Sequence, residues 1–212
     1  MFRARATPIA AITAGAIIAA ALALATPAPG ADIAAGRKKA EACAACHGPG
    51  GNATHPAMPS LAGHPIFYTH WQLVLFRDGR RRDPQMSPFA ANLTEADMAD
   101  LAAYYATQPP AGRPAAPGNA DTTSRGQRLA ELHLCASCHS PMLAGPRYTP
   151  RLEGQSFEYL AKQLREFKAR TRGELDGATM TSASQGLAAQ DIDILARYFA
   201  TLPPATPSAE RR

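Results

Sequence analysis

Residues 41–48 read EACAACHG, and residues 133–140 read HLCASCHS. In each, two cysteines separated by two residues are followed directly by a histidine: Cys43, Cys46 and His47, then Cys135, Cys138 and His139. At the end of a helix this spacing suits one chemistry. The two thiols add across the vinyl groups of a haem, and the adjacent imidazole reaches the iron from the same side. Chance would place roughly 0.002 such runs in a chain of this composition, so two of them are informative. A structural zinc site needs four clustered ligands, whereas these pairs lie 92 residues apart. A thioredoxin-like pair needs a βαβ context, which the sequence lacks. The expectation is two covalently bound haem c groups, on Cys43/Cys46 and Cys135/Cys138, with His47 and His139 as proximal ligands to the iron.

The motifs belong to a longer repeat. PSLAGH (59–64) matches PRLEGQ (150–155), and IFYTHWQLVLFRDGRR (66–81) matches FEYLAKQLREFKARTR (157–172). LTEADMADLAAYYATQPPA (93–111) matches LAAQDIDILARYFATLPPA (187–205). Each half reads as three helices, over about 34–46, 65–78 and 94–107, then 124–138, 156–170 and 188–201. Phe67, Leu73, Leu75 and Phe76 supply an apolar face in the first half, as do Leu160, Leu164 and Phe167 in the second. Thr94, with Asp97 three residues on, is an N-cap signal. No stretch alternates with period two, so the fold class is all-α, with no sheet beyond a short pairing. The domains are expected at 32–108 and 124–203. A Pro/Gly-rich linker at 109–123 separates them, and a tail follows at 204–212.

A ligating imidazole needs its second nitrogen held. The carbonyls of Pro59 and Pro150, in the matching Pro-x-Leu segments, are the candidates for His47 and His139. The sixth iron ligand decides the chemistry, since an open position favours gas binding or catalysis and a thioether favours closed electron transfer. Met86 follows His47 by 39 residues and Met180 follows His139 by 41, at the same repeat position between the second and third helices. Met58 has no counterpart, Met98 has core-like spacing, and Met142 lies too near His139 to cross the ring. His55, His64, His70 and His133 recur at no equivalent position and read as surface or local polar groups.

Arg3 and Arg5 precede an uncharged run that extends to Gly30, with Ala23 and Ala25 in an A-x-A arrangement. This reads as a signal peptide over 1–31, and hence as a periplasmic protein. The run is also long enough to remain as an anchor, and only then would the protein contact a membrane. Loss of residues 1–31 removes Arg3 and Arg5 from 22 basic residues and leaves 20 against 17 acidic ones. That excess is too small to suggest a nucleic-acid partner. Aromatic residues are only 7% of the chain, so two small domains need another source of core, such as a cofactor.

CAACHGPGGN with PSLAGH, YLAKQLREFKARTRG ahead of Met180, and the third-helix endings LAAYYATQP and LARYFATLP resemble the dihaem class I cytochromes c of the cytochrome c4 type. The resemblance covers about residues 32–202. It implies two tandem class I cytochrome c domains related by a pseudo-twofold axis, with haems close enough to exchange electrons. It further implies an electron carrier and not an enzyme. Its redox partners would be proteins of a respiratory complex or terminal oxidase. The alternative is the electron-accepting subunit of a periplasmic dehydrogenase. By the same resemblance Gly36 and Gly126 are the small residues where first and last helices cross, against Tyr104 and Tyr198. Arg81 and Arg172 are propionate-side arginines. SPMLAGPRY departs from the pattern where the first half has GPGGN, which bears on how exposed the second haem is.

Overall fold

The computed structural model describes residues 30–112, 120–172 and 177–205. All but the last two residues of the expected signal peptide therefore lie outside the described residues, as do the middle of the expected linker and most of the tail. Residues from Ala31 onward form one compact unit. The first half runs α1 (Ile33–Ala40), α2 (Ala44–His47), α3 (Ile66–Arg77), α4 (Met86–Ala90) and α5 (Glu95–Thr107). The second runs α6 (Ala120–Leu132), α7 (Cys135–His139), α8 (Phe157–Lys168), α9 (Ala178–Gln185) and α10 (Ala189–Thr201). No strand occurs among the described residues.

Local chemistry sets the helix starts. Asp32 caps α1, its Oδ1 accepting from the amides of Ala34 and Ala35 at 2.8 and 3.1 Å. Thr94 and Asp97 form a full capping box on α5, with reciprocal bonds of 3.1 and 2.9 Å. At α10 the N-cap is Ala188, which has no side-chain acceptor, so only Asp191 contributes, accepting from the Ala188 amide at 3.2 Å.

The structure corrects the first helix of each half. The helix expected over 34–46 breaks after Ala40. The next amides turn back to carbonyls three residues earlier, as in Cys43 N–H to Ala40 at 3.0 Å, before α2 begins. In the second half α6 starts at Ala120, ahead of the expected residue 124, and two more residues precede the cysteines, with Leu134 in the left-handed region at φ 54°. The break gives the Cys-His segment its own axis, independent of the helix that packs against the last helix. Helices α4 and α9 also went unforeseen, being short and without apolar periodicity.

Two glycines permit the main helix crossings. At Gly36 an added Cβ would sit 2.1 Å from the Asp100 carbonyl oxygen on α5, and at Gly126 it would sit 2.2 Å from Cβ of Tyr198 on α10. Gly126→Ala is expected to force α6 away from α10 and cost about 1–3 kcal/mol, as overpacking typically does. Guanidinium unfolding followed by circular dichroism checks this, and an unchanged midpoint would refute the close crossing.

The halves meet through loops 59–65 and 150–156 and through α3 and α8. The Gln155 side chain pairs twice with the Ser60 backbone, accepting from its amide at 3.0 Å and donating to its carbonyl at 2.7 Å. Buried Arg151 donates through Nη1 to the Ala62 carbonyl at 2.6 Å, and its Nε pairs with Glu153 at 3.2 Å. His64 is buried at the same seam with partners far along the chain, which corrects its reading as a surface or local polar group. Its Nδ1 accepts from the Arg151 amide at 3.3 Å.

Candidate functional site

Helices α2 and α7 carry the Cys-His motifs, and each ends on its histidine. His47 Nδ1 lies 2.9 Å from the Pro59 carbonyl oxygen, and His139 Nδ1 lies 2.9 Å from that of Pro150. A carbonyl only accepts, so each Nδ1 carries the proton and each Nε2 keeps its lone pair. Burial lowers the proton affinity of both imidazoles, against the weaker opposing effect of the carbonyl bond. Both are thereby held neutral and oriented, the state a metal-ligating imidazole requires.

The four cysteines are unpaired by disulfides, with Cys43 and Cys135 half-buried and Cys46 and Cys138 exposed. Burial raises the pKa of Cys43 and of Cys135, so both are thiols and not thiolates at neutral pH. Among the described residues no group of three or more His, Cys, Asp or Glu side chains could hold a metal ion by itself.

The apolar interior of the first half is divided. Among the described residues of the first half, one core cluster comprises Ala40, Leu101 and Tyr105, with Cys43, Leu61, Leu73, Leu93 and Tyr104 against it. Leu75, Phe76 and Met98 are buried yet do not join that cluster. Met98, fully buried on α5, is a packing residue, as its spacing suggested. A domain this small with a divided core needs another apolar body to complete it.

Met86 opens α4 and Met180 is the third residue of α9; both are half-buried. Asp83 fixes the approach to Met86, its Oδ1 accepting from the amides of Gln85 and Met86 at 3.0 and 3.1 Å. Its other oxygen meets Lys162 of the second half at 3.3 Å. Burial raises the proton affinity of Asp83, but these amides and Lys162 together hold it below the ordinary carboxylate value.

Arg81 and Arg172 come together at the seam. Arg81 stacks on Phe76 at 4.4 Å and Arg172 on Phe167 at 4.6 Å. Arg81 donates to Gln72 of its own half at 2.6 Å and to Gln163 of the other at 3.1 Å. Arg172 donates reciprocally, to Gln163 of its own half and to Gln72 of the other, the latter at 3.2 Å. Arg81 also reaches the Tyr159 hydroxyl at 3.4 Å. Burial pushes the Tyr159 phenol up, yet the two arginines hold it below the ordinary tyrosine value. Two guanidiniums sharing neutral oxygens make a place suited to anions such as propionates. Sequence reasoning missed Gln72, Gln163, Tyr159 and Asp83. The two glutamines and Tyr68/Tyr159 do recur in register, and that identity at polar positions was the available signal.

A family model described as cytochrome c oxidase, cbb3-type, subunit III matches residues 31–104, and one described as cytochrome c matches residues 123–203. The chain is 38% identical over 176 residues to cytochrome c4 of Pseudomonas aeruginosa, covering 79% of this chain and 87% of the relative. It is 36% identical over 148 residues to the thiosulfate dehydrogenase electron acceptor of Thiomonas intermedia, covering 66% of this chain and 68% of the relative. The crystal structure of reduced recombinant cytochrome c4 from Pseudomonas stutzeri superposes with a TM-score of 0.74 at 29% identity. That match covers 82% of this chain and 100% of the other.

Proposed function

Because the chain belongs to the cytochrome c4 family, a family of electron carriers with two covalently bound haem c groups, we propose which of its residues do the work. Cys43 and Cys46 attach one haem and Cys135 and Cys138 the other. His47 and Met86 ligate the first iron, and His139 and Met180 the second. Each haem, when bound, supplies reversible one-electron storage at iron. The chain's own residues set the conditions. Pro59 and Pro150 hold the imidazoles in the ligating tautomer, Asp83 positions Met86, and Arg81 and Arg172 balance propionate charge at the seam. The observation that carries the reading is the pair of 2.9 Å histidine clamps at equivalent repeat positions.

The protein passes electrons between redox partner proteins, in the direction of a terminal oxidase. The second reading, acceptor subunit of a dehydrogenase, draws on the similarity to the thiosulfate dehydrogenase electron acceptor. The compartment is the periplasm, supported by Arg3, Arg5 and the apolar run that follows. No helix among the described residues is long and apolar enough to cross a membrane.

Intact mass after acid–acetone extraction is the test. Wild type is expected to retain two haems, and Cys43→Ala or Cys135→Ala to weaken retention at one site only. A mass equal to the apoprotein would overturn the assignment. The same spectrum is expected to show a mature start between about residues 24 and 32.

A further inference from the structure

Helix α3 presents two aromatic side chains to solvent one turn apart, Phe67 (44% exposed) and Trp71 (38%). Across the seam Tyr148 (62% exposed) brings its ring to 5.1 Å from that of Phe67. Arg147 lies over both rings, at 4.7 and 5.2 Å, and Arg80 lies over Trp71 at 5.3 Å. The corresponding residues of α8 are Glu158 and Lys162, both solvent-exposed and charged. The first half thus places large, exposed aromatics where its twin places charges.

We propose that this strip is a docking surface for a partner protein whose contact face is apolar and ringed by carboxylates. Exposed Trp, Tyr and Arg are the side chains that dominate well-packed protein interfaces. A guanidinium stacked by its face still offers its N–H edge to a carboxylate. Phe67 and Tyr148 belong to different halves, so the strip exists only while the halves are packed. An anionic membrane is the poorer match, because Asp78 and Glu95 border the end of α3, both held to Arg77. The inference rests on the carrier reading above.

The test uses the full haem-loaded chain and an acidic blue copper protein as oxidant. One electron passes from ferrous iron to Cu(II), giving ferric iron and Cu(I), with no atom or proton transferred. The double variant Phe67→Glu/Trp71→Lys installs the residues that α8 already carries at these positions, so the helix tolerates them. It is expected to lower the second-order rate at least about tenfold while leaving oxidation by benzoquinone unchanged. Arg147→Glu is expected to slow the same reaction and flatten its salt dependence. Trp71 is the single tryptophan, so fluorotryptophan labelling gives one resonance, which should broaden as the copper protein is added. An unchanged rate in the double variant overturns the proposal. So does a Trp71 resonance that responds only to phosphatidylglycerol vesicles, which would assign the strip to lipid. Wild type that fails with benzoquinone as well would sink the carrier reading itself.

Discussion

Met86→Ala and Met180→Ala should each open one iron and leave the other closed. Thioether sulfur is soft and uncharged, so it favours ferrous over ferric iron and raises the potential. Its loss is expected to lower the potential of that haem by on the order of a few hundred millivolts, within the ~0.8 V that axial ligation spans. The altered haem should also bind carbon monoxide when reduced, which the wild type should not. Two sites in one chain make this a controlled experiment, since the untouched haem serves as the internal reference. The near-infrared sulfur-to-iron band of the oxidised protein should account for two methionines in wild type and one in each variant. A wild-type band worth one haem, or ready carbon monoxide binding by wild type, would mean that one iron is open and that Met86 or Met180 has been misassigned.

Acid should separate the halves by way of His64. Burial, together with the nearby charge of Arg151, pushes its pKa down to about 3, against a weaker bond to the Ser60 backbone. Its surroundings are Arg151 with Glu153, Gln155, and the ring of Tyr68 at 5.2 Å. The unfolded chain takes up a proton at this residue near pH 6.5, and the folded chain does not until about pH 3. The folded state is therefore unpenalised above pH 6.5. It loses about 1.4 kcal/mol for each unit that the pH falls through that window. Between pH 7 and pH 4 the loss from this one group is about 3 kcal/mol. His64→Gln places at residue 64 what its repeat partner, Gln155, already has, and removes the titration. Guanidinium unfolding at the two pH values, followed at the haem bands, should show a clearly smaller acid shift in the variant. Equal shifts would show that His64 is not the acid-sensitive element.

The fold was largely legible because a haem-attachment motif and a repeat are both local patterns. Three helices per half, the Thr94–Asp97 box and the packing role of Met98 follow from spacing and side-chain chemistry alone. The break after Ala40 was not legible, since Ala, Glu and Lys continue a helix as readily as they end one, and tertiary packing decides. Helix α4 contains Pro88 and only five residues, too few for a period to register. At the site, the histidine clamps could be anticipated because a ligating imidazole needs a carbonyl partner and only one segment recurs at suitable spacing. The arginine–glutamine ring could not, because it depends on how two copies face each other, a relation that no single copy of the pattern contains. His64 was misjudged for the same reason: its partners Arg151 and Gln155 lie about ninety residues away in the chain.

The seam also limits which halves can be exchanged. Gln72, Arg81, Gln163 and Arg172 are self-complementary, so either half could supply both sides of that ring. The loops beneath it have diverged, with Ser60 and Ala62 in one half at the positions of Arg151 and Glu153 in the other. A hybrid made of two first halves would close the ring above a seam with no guanidinium to reach the Ala62 carbonyl. A hybrid of two second halves would drive two buried ion pairs against each other at the centre. The two cytochrome units are thus no longer interchangeable modules: each is shaped as the lock for the other's key.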